Sequence, residues 1–156
     1  MDSVSLEVGS GNATTVAQLA LQQSWDTGST WLAEHHLHTY WEVSAAAIEE
    51  RKYRNIEGRK QNLVDFGFTP VLRWHGFDNH GLFGEIGIGV NYFTENYDNN
   101  GRRFGGDFQF GDHVGVGCLF SKQLEVTLKL QHFSNADIKQ PNPGFNAGMI
   151  KLAWMF

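Results

Sequence analysis

Apolar and polar residues alternate with a period of two through most of this chain, and clusters of Gly, Asn and Asp divide the alternation into about eight segments. The first, near 3–10, sets Val4, Leu6 and Val8 against Ser3, Ser5 and Glu7. Beyond a Gly11-Asn12 turn, Leu19, Leu21 and Trp25 oppose Gln18 and Gln22. A third segment, near 35–47, places Leu37, Trp41 and Val43 opposite His36, His38, Tyr40 and Glu42. The charged stretch 49–61 predicts a solvated loop or a strand extension. Segments four (62–75) and five (82–93) alternate most clearly, with Val64, Phe66, Phe68, Pro70, Leu72 and Trp74 in one and Ile86, Ile88, Val90 and Tyr92 in the other. Turn residues fill 97–103, and a sixth segment, 106–120, carries Phe108, Phe110, Val114, Val116, Cys118 and Phe120 on one face. The seventh runs Leu124, Val126, Leu128, Leu130, and the last Ile150, Leu152, Trp154, Phe156.

Such strands bury one face, either inward in a soluble sandwich or barrel, or outward in a membrane barrel. The second faces decide between them. They combine Glu7, Glu42, Asp65, Arg73, Glu85, Asp107, Glu125, Lys129 and Lys151 with Gly87, Gly89, Gly111, Gly115 and Gly117. Small residues and opposite charges fill a narrow eight-stranded lumen, whereas a wetted surface favours longer polar side chains over Gly. The predicted fold is therefore all-β, an eight-stranded antiparallel up-and-down transmembrane β-barrel. Trp25, Trp74, Tyr92, Phe120 and Trp154 are placed to form interfacial girdles.

Composition supports this reading. Eighteen Gly, three Pro and 13% aromatic residues suit strands and tight turns. The chain has 156 residues and no long polar linker, so one domain over 1–156 is expected. No run approaches the ~18 apolar residues of a membrane helix, but a barrel strand needs only ~9–11 with every second one apolar. The start, Met1-Asp2-Ser3-Val4, lacks the basic and apolar regions of a signal peptide, as expected of a mature exported form with an added Met. Twelve Lys and Arg against 17 Asp and Glu, without a basic patch, argue against a nucleic-acid partner. Cys118 is alone, so neither a disulfide nor a cysteine-rich metal site is available.

The seventh segment ends in His132-Phe133-Ser134-Asn135, and strand parity puts His132 and Ser134 on the apolar face of Leu124 to Leu130. There a neutral imidazole can take the hydroxyl proton as Ser134 attacks an ester carbonyl. An interfacial His beside a solvated Ser fits the triplet equally well. The full run 132–144, His-x-Ser-Asn-Ala-x-x-Lys-Gln-Pro-Asn-x-Gly, closely resembles the lipid A 3-O-deacylases, the PagL family of Gram-negative outer-membrane barrels. The resemblance implies an outer-membrane location, a serine esterase removing the ester-linked 3-hydroxyacyl chain of lipid A or lipopolysaccharide, and no cofactor. It assigns His132 as base and Ser134 as nucleophile. Asn135 and Asn142 match motif asparagines that shape the oxyanion hole or hold the loop, and backbone N–H groups at Ala136 and Asp137 could donate to the oxyanion. The chain departs from the pattern at Asn146, where the family carries an acid. Asn146 falls beside His132 by parity, so either it orients the imidazole or a carboxylate such as Asp137 does.

Other clusters weigh less. His36 and His38 share a face while His35 opposes them, which predicts an interior hydrogen-bonded network and no metal site. Basic residues in 49–61 form an extracellular face that could meet lipid A phosphates. Two other classes fit the strand pattern: a non-enzymatic barrel serving adhesion or membrane stability, and a soluble lipid-binding barrel.

Overall fold

The structure, a computed structural model, describes residues 2–25, 27–77 and 81–156. In chain order the elements are β1 (Ser3–Gly11), β2 (Thr14–Ser24), the short helix α1 (Thr30–Glu34), β3 (Leu37–Glu50), β4 (Gln61–Phe77), β5 (Leu82–Phe93), β6 (Asp98–Asn99), β7 (Arg102–Arg103), β8 (Phe108–Leu119), β9 (Leu124–Ser134) and β10 (Phe145–Met155). Eight of the strands close a barrel in the order β1-β10-β9-β8-β5-β4-β3-β2, and β6 pairs with β7 in a separate ribbon. Every barrel pairing is antiparallel, and β10 closes on β1 with Ser3 opposite Met155 and Ser10 opposite Gly148.

Parity behaves as the alternation predicts. The apolar faces look outward: Leu19 is 60% exposed, Ile88 66% and Leu130 65%. A continuous apolar wall of this kind marks a lipid-facing surface. Trp25, Trp74, Phe120 and Trp154 are exposed toward the end holding the termini, and Tyr92 with Phe108 toward the opposite end. That opposite end carries connections 51–60, 94–107 and 135–144. Longer loops mark the extracellular side of outer-membrane barrels.

The lumen is filled in two layers. Toward the termini lies an ion-pair network in which Arg73 bridges Glu85 and Glu125, each at 2.7 Å, and Lys151 reaches Glu85 at 3.2 Å and the Tyr40 hydroxyl at 3.2 Å. Lys129 pairs with Glu7 at 2.5 Å. Toward the long loops the lumen carries an aromatic cluster, Phe93, Phe133 and Phe145 capped by Tyr97 and Phe104 from the 94–107 connection, beside the buried Glu50 and Asp65. Tyr97 stacks on Phe145 at 4.5 Å between centroids. Side chains thus plug the barrel from wall to wall.

Four expectations are corrected. Asp107 lies before β8, half-buried, and is not part of the lumenal network. The third strand spans Leu37–Glu50 in place of 35–47, so the 49–61 stretch is strand extension at Glu49 and Glu50, loop over 51–60, and the start of β4 at Gln61. His35 is the C-cap of α1 and stacks on Trp31, and His36 follows with φ 56, so neither belongs to a strand. His38 sits exposed at the barrel mouth, edge-on to His75, outside any interior network. The helix itself is absent from the alternation because five residues, N-capped by Ser29, leave no periodic signal. Met1 lies outside the described residues.

Candidate active site

Strand β9 rises to the long-loop end with Phe133 inward and His132 and Ser134 outward, the parity that buries Phe133 against Phe93 and Phe145. Burial of one aromatic thus fixes the exposure of its two polar neighbours. On one side, β10 places Asn146 directly opposite His132, and the imidazole Nδ1 lies 2.6 Å from Asn146 Oδ1. With the amide oxygen accepting, Nδ1 carries the proton and Nε2 keeps its lone pair free. On the other side, β8 places Asp112 opposite His132 and Phe110 opposite Ser134.

The connection 135–144 folds over this patch through its own polar groups. The Asn135 backbone N–H donates to Asn142 Oδ1 at 2.8 Å, and the Asn135 amide donates to the Lys139 carbonyl at 2.7 Å. Asn135 is buried, so both motif asparagines hold the loop. Asp137 Oδ1 accepts from Gln140 at 2.9 Å and Asn142 at 3.1 Å. The Asp137 carboxylate is therefore engaged within the loop, and the group bonded to the imidazole Nδ1 is Asn146. Ala136 and Asp137 adopt φ 51 and 62, so the chain turns through two successive left-handed residues just after Ser134 and Asn135.

The far end of the loop is clamped. Arg102 donates through Nη1 to the carbonyls of Pro143 and Gly144, both at 2.8 Å. Gly144, at φ +60, lies so close to the imidazole that a Cβ there would stand 2.8 Å from His132 Cε1 and 3.3 Å from Nε2. Only glycine meets both conditions. Arg102, Gly144 and Asp112 escape a reading of the sequence. The motif shows Gly144 as a turn residue, and Asp112 leaves one mark, a carboxylate at an outward position between Phe110 and Val114.

Two depressions flank the patch. A cleft of about 530 Å³ lies between β8 and the loop, lined by Val90, Phe108, Phe110, Asn135, Ile138 and Lys139. Down the wall, Val114, Leu128, Leu130, Gly148 and Ile150 border an open apolar furrow. A Cβ on Gly148 would meet nothing within 4 Å. Among the described residues no group of three or more His, Cys, Asp or Glu is arranged to hold a metal ion.

Residues 15–155 match the family model described as lipid A 3-O-deacylase (PagL). A lipid A deacylase PagL of Pseudomonas aeruginosa is 31% identical over 147 residues, covering 92% of this chain and 80% of that protein. The one of Bordetella bronchiseptica is 37% identical over 87 residues, covering 56% of this chain, and that match spans about half of the relative's own length, 47%. A crystal structure of the outer membrane enzyme PagL superposes with a TM-score of 0.81 at 26% identity, covering 99% of each chain. The agreement therefore runs through the whole barrel as well as the loop motif, and the chain belongs to the lipid A 3-O-deacylase (PagL) family of outer-membrane ester hydrolases.

Proposed function

We propose that this protein removes the ester-linked 3-hydroxyacyl chain from the 3-position of lipid A, with Ser134 as nucleophile and His132 as general base. The observation that carries this reading is the 2.6 Å bond from His132 Nδ1 to Asn146 on the lipid-facing wall, because it frees Nε2 on the face that Ser134 shares. Nε2 takes the Ser134 proton as Oγ attacks the ester carbonyl, and the carbonyl oxygen becomes an oxyanion. The N–H groups of Ala136 and Asp137 are the donors for that oxyanion. Collapse breaks the ester bond, and the imidazolium protonates the departing sugar hydroxyl. Water, deprotonated by His132, then cleaves the acyl-serine and releases a 3-hydroxy fatty acid.

The surroundings suit such a substrate. The furrow bordered by Leu130, Gly148 and Ile150 takes the acyl chain without removing it from an apolar medium. The cleft beside Ser134 combines apolar Phe108, Phe110 and Ile138 with polar Asn135 and Lys139, the mixture an amphiphilic sugar headgroup requires. The test is incubation of the purified barrel with lipid A in detergent, with mass spectrometry reading the loss of one 3-hydroxyacyl chain. Ser134→Ala and His132→Ala should each reduce the rate by at least about 10³-fold while the barrel stays heat-modifiable on a gel. Persistent cleavage by Ser134→Ala overturns the serine mechanism, and no cleavage by the unaltered protein in any detergent favours a non-enzymatic barrel.

A further inference from the structure

We propose that Gly148 sets the acyl-chain selectivity of the site: the gap it leaves in the outer wall is the passage by which a long 3-hydroxyacyl chain leaves the reacting ester. This deepens the serine-esterase reading above and rests on it. Gly148 faces outward on β10, one outward position below Asn146 and directly opposite Leu130 on β9. It therefore lies one rung beneath the His132–Asn146 bond, about 7 Å further down the wall. Every other outward position below that bond on the two strands is filled, by Leu130, Leu128, Val126 and Leu124 on β9 and by Ile150, Leu152 and Trp154 on β10. At Gly148 a Cβ would meet nothing within 4 Å, and its neighbour on β1 is the small Ser10. The open space is the upper end of the apolar furrow, which continues downward between Val116, Leu128 and Ile150.

What occupies the gap follows from where it lies. Nucleophile and base hold the ester carbonyl at the level of His132 and Ser134, so a chain running from that carbonyl into the leaflet passes over the next rung of the wall. Barrel strands cross the bilayer at a tilt, and the furrow spans three of them, β8, β9 and β10, which accommodates a chain standing along the bilayer normal. Lipid tails are as apolar as the wall, so the furrow adds little attraction and works by giving room. A side chain at position 148 would stand in the path of the chain and lift the carbonyl away from Ser134 Oγ. A misplacement of about 1 Å at reacting atoms costs about 10²-fold, and an ester whose chain ends above Gly148 escapes that cost. Gly148 thus governs specificity and takes no part in bond making.

The experiment compares two lipid A analogues that differ only in the chain esterified at the 3-position, 3-hydroxybutyryl or 3-hydroxytetradecanoyl, with mass spectrometry reading release of the hydroxy acid in detergent. The proteins are unaltered, Gly148→Ala, Gly148→Leu and Ala45→Leu, the last on the outward face of β3, across the barrel from β9. Gly148→Leu should lower kcat/KM for the long chain by about 10²-fold and leave the short chain within about threefold. Gly148→Ala should cost about tenfold on the long chain alone, and Ala45→Leu should change neither. An equal loss on both chains overturns the inference, and so does no loss on the long one. If Gly148→Leu gives no heat-modifiable barrel, Gly148→Ala decides by the same comparison. If the unaltered protein cleaves the long chain only, a loss that deepens from Gly148→Ala to Gly148→Leu supports the inference, and an equal loss in the two overturns it. Hydrolysis of neither ester by the unaltered protein instead removes the esterase reading, and this inference with it.

Discussion

Adding a single methyl group at Gly144 probes how tightly the imidazole is held. The backbone there has φ +60, where a residue with a Cβ costs roughly 1–2 kcal/mol. The new carbon would sit 2.8 Å from His132 Cε1, about 0.7 Å inside the ~3.5 Å at which carbons normally touch. Something must move. The loop is pinned from behind by the two 2.8 Å bonds from Arg102, whereas the ring is held by one 2.6 Å bond to Asn146. The ring is the softer partner, and displacing it strains the bond that orders its tautomer. A misplacement of about 1 Å at a reacting group costs about 10²-fold, so Gly144→Ala should lower kcat/KM by about that factor in the fatty-acid release assay. Gly58→Ala is the control. Gly58 has φ +76 and nothing within 4 Å of its imaginary Cβ, so it imposes the same backbone cost without a collision. Its activity should stay within about twofold. Gly144→Ala at more than a third of normal activity, or an equal loss in Gly58→Ala, refutes the picture of a crowded imidazole.

Three further outcomes are expected. Arg102→Ala frees the Pro143 and Gly144 carbonyls from two charge-assisted bonds and should cost about tenfold in kcat, with the unfolding temperature in detergent almost unmoved. Asn146→Ala removes the acceptor from Nδ1 and should cost about tenfold in kcat with little change in KM, read from initial rates across lipid A concentrations. Lys151→Met removes one of the two cations paired with Glu85, leaving Arg73, and weakens the charge balance around Glu42, so it should destabilise the barrel by about 1.5–3 kcal/mol, seen as a lower temperature for the heat-modified gel shift, while activity per folded molecule is preserved.

The barrel was legible in the chain because period two survives every local accident: Leu124, Val126, Leu128 and Leu130 declare a wall whatever lies across from them. His132 and Ser134 inherited their outward face from that count. What escaped depends on register between strands remote in sequence. Asp112 and His132 are twenty positions apart, and nothing in either segment says that they meet. Arg102 reaches its carbonyls from β7, in a stretch whose residues announce a turn and no target. The errors have local causes. His36 leaves a helix in a left-handed conformation, which breaks the parity that had sent it inward with His38. The charges and glycines read as lumenal left out Phe93, Phe133 and Phe145, which face inward near the long loops and whose aromatic packing closes the barrel beneath the site.

With His132 and Ser134 on the outer wall of a plugged barrel, the proposed esterase meets its substrate sideways, within the leaflet, and never through an aqueous mouth. The relevant encounter is two-dimensional, and the quantity that sets the rate is the mole fraction of lipid A among the lipids at the wall. Rates in micelles should fall as detergent is added at constant total lipid A, by surface dilution, and KM values belong in mole fraction.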